Sequence, residues 1–196
     1  MGLAEIQRAL ANLYTDERLR EHFVRDSLSV GRELGLSEDE AQQIAKIPLS
    51  QLSFFSNSLV SKRFGEVVKL MPLTQKVLGK SFDNAFRKFA QDFNPNDIKK
   101  HLNDAVTFAK YLESNYQKHI NGPDWILDLI RFERARLIFS GSGKRILIKR
   151  FRFDIRTLIE RLDKGEIPEQ VEKTRLSGIW WRFTDKGKGK LRWFKF

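Results

Sequence analysis

Apolar residues recur at helical spacing through the first two thirds of the chain. Leu3, Ile6, Leu10 and Leu13 fall three or four positions apart and predict a first helix. Thr15 or Asp16 can cap a second helix that carries Leu19 and Phe23. "SEDE", from Ser37 to Glu40, has the spacing of a capping box and predicts a short helix through Ile44. Pro48 opens a longer helix with Leu52, Phe55, Leu59, Val67, Leu70 and Met71 on its apolar side, and Pro72 closes it. After Gly79, Phe82, Phe86, Phe89 and Phe93 form one stripe. "NPND" caps a further helix striped by Ile98, Leu102, Ala105, Phe108, Ala109 and Leu112, and another runs from Asp124 to about Phe139. Phenylalanine at this spacing reads as core rather than as a cofactor box.

Beyond "SGSGK" the period changes. "RILIKRFRFD", Arg145 to Asp154, is rich in β-branched and aromatic residues and predicts a strand. Ile155, Leu158, Ile159 and Leu162 mark a short helix ended by Gly165. Ile179–Thr184 and Lys190–Phe196 then predict two strands joined by the turn "DKGKG". The fold class expected is α+β and mainly helical. A multi-helix domain over residues 1–139 precedes a strand–helix–strand–strand winged unit over residues 140–196, which packs on it.

Charge sharpens this division. Residues 140–196 hold 16 Lys/Arg and 7 Asp/Glu, a net of +9, out of a total of +11. A basic field of that size favours an anionic partner. The chain has no cysteine, which excludes disulfides, thiolate metal sites and cysteine nucleophiles. The early acids, the absence of an apolar signal core and Ile6 in place of a myristoylation Ser/Thr make cytoplasmic location the expectation.

No catalytic pattern emerges. "SGSGKR" lacks the first glycine of a phosphate loop, because Ile138 stands there, and Arg145 replaces the magnesium-binding Ser/Thr. His22, His101 and His119 do not group at metal-ligand spacing, and Asp97 four before His101 is a pairing common by chance. The expectation is a non-enzymatic protein with no cofactor and no metal. "DLIRFERARLIF", with Asp128, Arg131, Glu133, Arg134 and Arg136, reads as an amphipathic helix with charged flanks.

The basic β unit carries the binding expectation. Alternation puts Ile146, Ile148, Arg150 and Arg152 on one face of the first strand, and Leu147, Lys149, Phe151 and Phe153 on the other. In the final hairpin Ile179, Trp181 and Phe183 oppose Trp180 and Arg182. Lys149, Arg150, Arg152, Trp180, Arg182, Arg192 and Trp193 are the candidate contacts to a ligand. Aromatics among cations suit base stacking with phosphate pairing, or an acidic peptide added as a strand. A core role for all four tryptophans stays open. Lys62 and Arg63 form a basic pair on the long helix, with Glu66 within ion-pair spacing.

"FFSNSLVSKRFGEVVKLMPLTQKVLGKSFDNAFRKFA" resembles the MbnC-like family, a group long labelled DNA-binding. Its members partner multinuclear non-haem iron enzymes that modify ribosomal peptides. The resemblance rests on Phe55, Ser58, Leu59, Lys62, Arg63, Pro72, Leu78, Gly79, Phe82, Phe86 and Phe89. It continues in "WILDLIRFERA" through Trp125, Asp128, Leu129, Phe132 and Glu133, and spans roughly Leu13 to Ala135. It departs from the family at Ser56, where alanine is common. The resemblance implies a helical domain that docks the iron enzyme and a wing that binds a precursor peptide by strand addition. Lys62 and Arg63 are the docking candidates. The alternative expectation is a DNA- or RNA-binding protein that uses the basic aromatic wing.

Overall fold

The computed structural model describes residues 2–93, 100–120, 122–184 and 189–195. Among these residues ten helices precede and interrupt one three-stranded antiparallel sheet, a mainly helical α+β fold. The expected "NPND" cap, Ile98, Asp97 and the hairpin turn at residues 185–188 lie outside the described residues.

The chain divides into two compact units: Met1–Arg63 with Ala90–Asn94, and Phe64–Phe89 with Pro95–Phe196. The first holds α1 (Leu3–Thr15), α2 (Glu17–Arg25), α3 (Ser27–Glu33) and α4 (Glu38–Ala45), and also the start of α5 (Leu49–Leu70). Asp16 caps α2 by accepting the Leu19 N–H at 3.0 Å. Ser37 and Glu40 close the capping box on α4. These partners satisfy N–H groups that a helix start otherwise leaves unpaired. The short α3 was not legible from periodicity, since seven residues hold too few apolar positions; Asp26 caps it. Leu13, Phe23, Val30, Ala41, Ile44 and Leu52 form the core of this unit.

One stripe departs from expectation. Leu52 on α5 is fully buried, but Phe55 and Leu59 are 42% and 41% exposed. Leu59 shares the face of Leu52 but lies seven residues on, about 10 Å along the helix axis, past the core that encloses Leu52.

The second unit holds α6 (Pro72–Leu78), most of α7 (Lys80–Asp92), α8 (Lys100–His119), α9 (Trp125–Gly141), α10 (Ile155–Asp163) and the sheet. Phe82 and Phe86 of α7 meet Phe108 of α8 edge-on, with ring centroids 5.0 and 5.2 Å apart, so Phe82, Phe86 and Phe89 of the stripe are core, while Phe93, past the end of α7, is half-buried. Strands β1 (Ile146–Phe151), β2 (Leu176–Trp181) and β3 (Lys190–Lys195) lie in the order β1-β2-β3. β2 starts three residues before the predicted Ile179 and stops at Trp181. The cause is its register: Leu176 pairs with Phe151 and Trp181 with Ile146, so the length of β1 sets that of β2.

Helix α9 also departs from the amphipathic reading. Its buried residues include Trp125, Asp128, Leu129, Ile130, Phe132, Glu133, Ala135, Leu137 and Phe139, and they run around most of its circumference. A helix buried on so many sides is the centre of its unit.

Candidate functional site

The site is built on α9. Asp128 and Glu133, read as charged flanks, are both fully buried. Asp128 Oδ2 accepts the backbone N–H of Arg152 at 2.5 Å and of Phe153 at 3.2 Å, while Oδ1 accepts from the Arg131 guanidinium at 3.0 Å. It therefore pins the end of β1 where the chain turns into α10. Glu133 accepts the Leu73 and Thr74 N–H groups at 3.1 and 2.8 Å. These belong to the first turn of α6, whose N-cap residue Met71 supplies no side-chain bond. A carboxylate from a distant helix thus caps α6, at the end where the helix dipole favours negative charge. Burial pushes the Glu133 carboxyl up from its ordinary value; hydrogen bonds from Thr74 and Leu73 and the Arg136 charge oppose that push.

Sheet register separates the two faces. Residues directly opposite one another share a face in an antiparallel sheet. Leu147, Trp180 and Leu191 share one row, Lys149, Gly178 and Trp193 the next, and Phe151, Leu176 and Lys195 the last. This face turns to α9. The Phe132 ring lies 5.8 Å from both Trp180 and Trp193 and 6.3 Å from Phe151. Gly178 fits closely in the middle: a Cβ there would meet Trp193 at 3.0 Å and Trp180 at 3.2 Å, so the indoles would have to shift by a few tenths of an ångström. Trp180 is buried and Trp193 half-buried. Arg182, just past β2, is buried as well. Its guanidinium donates to the Phe139 carbonyl and lies 4.2 Å over the Phe139 ring. Trp180 and Arg182 are thereby committed to packing.

The other face carries Ile146, Ile148 and Arg150 from β1, Ser177, Ile179 and Trp181 from β2, and Lys190, Arg192 and Phe194 from β3. Ile146 is 62% exposed, Ile148 56% and Phe194 47%. The Arg192 guanidinium lies 5.8 Å over the Trp181 ring. Aromatic, aliphatic and cationic side chains thus meet on one exposed surface. Arg152 lies beyond the strand end and faces Asp124 at 3.7 Å, an exposed pair of small energetic weight.

β1 is an edge strand. The Arg182 N–H donates to the Arg145 carbonyl at 2.9 Å, which sets the phase of the ladder. Alternation then directs the backbone N–H and C=O of Ile146 and Ile148 away from β2. Among the described residues no strand lies beyond them. Beside this edge runs a groove of about 220 Å³ lined by Glu113 of α8, Arg131 and Arg134 of α9, and Lys149, Arg150 and Phe151 of β1. Glu113 pairs with Arg134 at 2.7 Å and Arg131 at 3.7 Å. Sequence reasoning found Lys149 and Arg150 but missed Arg131, Arg134 and Glu113 as groove residues. The Arg131–Arg134 spacing was visible, but their meeting with β1 was not.

On α5, Lys62 is exposed, whereas the Arg63 guanidinium donates to the Phe93 carbonyl at 2.8 Å. Among the described residues no three His, Asp or Glu side chains come together as a metal site. No described helix is long and apolar enough to cross a membrane.

No curated protein matches the chain. Residues 50–114, from the first turn of α5 into α8, are similar to the family described as SCO6045-like, C-terminal domain.

Proposed function

We propose that the protein is a non-catalytic recognition subunit that takes an extended peptide as an added strand on β1. The observation that carries this reading is the edge itself: Ile146 and Ile148 offer outward backbone groups beside exposed apolar and basic side chains. Strand addition uses such backbone groups for affinity and alternate side-chain pockets for specificity. The MbnC-like resemblance supplies the rest of the proposal: a precursor of a ribosomally made peptide as ligand and a multinuclear iron enzyme as partner, in the cytoplasm. The exposed stripe of Phe55, Leu59 and Lys62 on α5 supports a protein-docking role for that helix.

Calorimetry with a short peptide and an iron enzyme encoded beside this gene tests the proposal. Saturable binding of both, with 1:1 stoichiometry for the enzyme, is expected. Binding of neither overturns it.

The outer sheet face favours a second reading. Lys190 and Arg192 beside Trp181, with Arg150 farther along the same face, combine phosphate-pairing charge with a stacking surface. A nucleic-acid binder of this kind loses affinity steeply with salt and on substitution of Arg192, as read by fluorescence polarisation with single-stranded DNA and RNA. A response flat in salt excludes it.

A further inference from the structure

The geometry points to a carboxylate-binding subsite in the groove beside β1, one that reads an Asp or Glu side chain on the peptide strand added there. The inference rests on the strand-addition reading and extends it to the chemistry of the ligand.

Three cationic side chains, Arg131, Arg134 and Lys149, face the groove against one lining carboxylate, Glu113, and Arg150 lines it from β1 with its side chain on the opposite sheet face. Asp128, buried behind Arg131, takes part of that arginine's charge. Arg134 is occupied by Glu113 through one nitrogen at 2.7 Å, and Arg131 reaches Glu113 only at 3.7 Å. Lys149 has no ion-pair partner among the described residues, although it stands on the face that turns to α9. Glu113 alone therefore leaves the groove short of negative charge.

Size and position select the ligand. A volume of about 220 Å³ suits one or two side chains rather than a cofactor. A strand added to β1 would lie about 4.8 Å from it, and every second side chain would point toward α8 and α9. An acidic side chain at such a position would meet Lys149 and the two arginines, where charge-assisted bonds to carboxylate are strongest. Glu113 then acts as an internal competitor, holding the arginines until the ligand's carboxylate shares them.

The test uses the full chain and two capped seven-residue peptides of alternating threonine and valine, one with glutamate at its centre and one with glutamine. Affinity is read by NMR titration, and exchange of the Ile146 and Ile148 amides reports edge binding. The glutamate peptide should bind about threefold to tenfold more tightly than the glutamine peptide. K149Q should abolish the difference, and E113Q should widen it by freeing Arg134, while Arg131 stays bonded to Asp128. Lys149 is exposed, so its replacement leaves the fold intact. Equal affinities with both amides protected would overturn the subsite and leave strand addition standing. A glutamate preference that survives K149Q, or that comes without amide protection, also overturns the subsite. If neither peptide binds, both readings fall. If inorganic phosphate or a short DNA oligonucleotide shifts the Lys149 resonances and the glutamate peptide does not, the groove is a phosphate site and the carboxylate reading is wrong.

Discussion

The two faces of the three-stranded sheet have similar compositions and opposite fates. Each carries tryptophan, aliphatic residues and cations. On the face toward α9, Trp180, Trp193 and Phe151 gather around Phe132, and Gly178 makes room for the indoles. On the other face Ile146, Ile148 and Phe194 stay largely exposed, and Arg192 covers Trp181. What separates the faces is access to α9, not residue type. Burial of apolar area stabilises only where another surface exists to cover it. The uncovered face keeps its apolar area exposed.

The largest expected effect tests the buried face. Trp180→Ala should cost about 3–5 kcal/mol, because it empties the space against Phe132. Trp181→Ala should stay within about 1 kcal/mol, yet weaken ligand binding if the outer face makes contacts. Urea denaturation of the two variants decides: equal losses would erase the distinction between the faces.

Asp128→Ala comes next. It removes the acceptor of two backbone N–H groups at the end of β1 and leaves that of Phe153 buried, at about 1–3 kcal/mol, with a smaller cost for the partly buried one of Arg152. The loss should appear in the urea midpoint together with faster amide exchange at Arg152 and Phe153. A midpoint near that of the unaltered protein would mean that the sheet is not held by this clamp.

Glu133 gives a smaller, pH-dependent effect. Burial raises its folded pKa above the ordinary 4.5, so the folded state keeps the proton to higher pH than the unfolded chain. Its contribution is therefore fullest below about 4.5 and declines as pH rises through the folded value. The stability difference between the protein and E133Q should shrink over that interval in urea melts taken at a series of pH values. A difference that grows with pH would show that hydrogen bonds from α6, rather than burial, dominate the carboxylate.

The smallest effect sharpens the other side of the comparison. Ile148→Thr on the exposed face keeps a β-branched residue in the strand and should change stability by about 0.5 kcal/mol or less. A loss of several kcal/mol in thermal melts would mean that the outer face is covered after all.

Local signals were legible in the sequence because they depend on near neighbours. The Ser37–Glu40 capping box, the Asp16 cap, the Pro48 and Pro72 boundaries of α5 and the phenylalanine stripe of α7 all follow from spacing within a few residues. The alternation that sets Trp180 opposite Trp181 was legible for the same reason. The groove was not: Glu113 stands 36 residues before Lys149, and only the packing of α8 and α9 beside β1 brings them together.

The sequence by itself determined a mainly helical chain ending in a basic, aromatic sheet, since periodicity and charge are written residue by residue. Only the tertiary structure decided which tryptophans are core. Alternation distinguishes two faces of a strand but cannot say which one a helix will cover, and that depends on the long-range register of β1, β2 and β3 against α9. The same holds for Asp128 and Glu133. Their spacing looks like surface charge, and burial beside unpaired N–H groups from distant segments turns them into structural clamps.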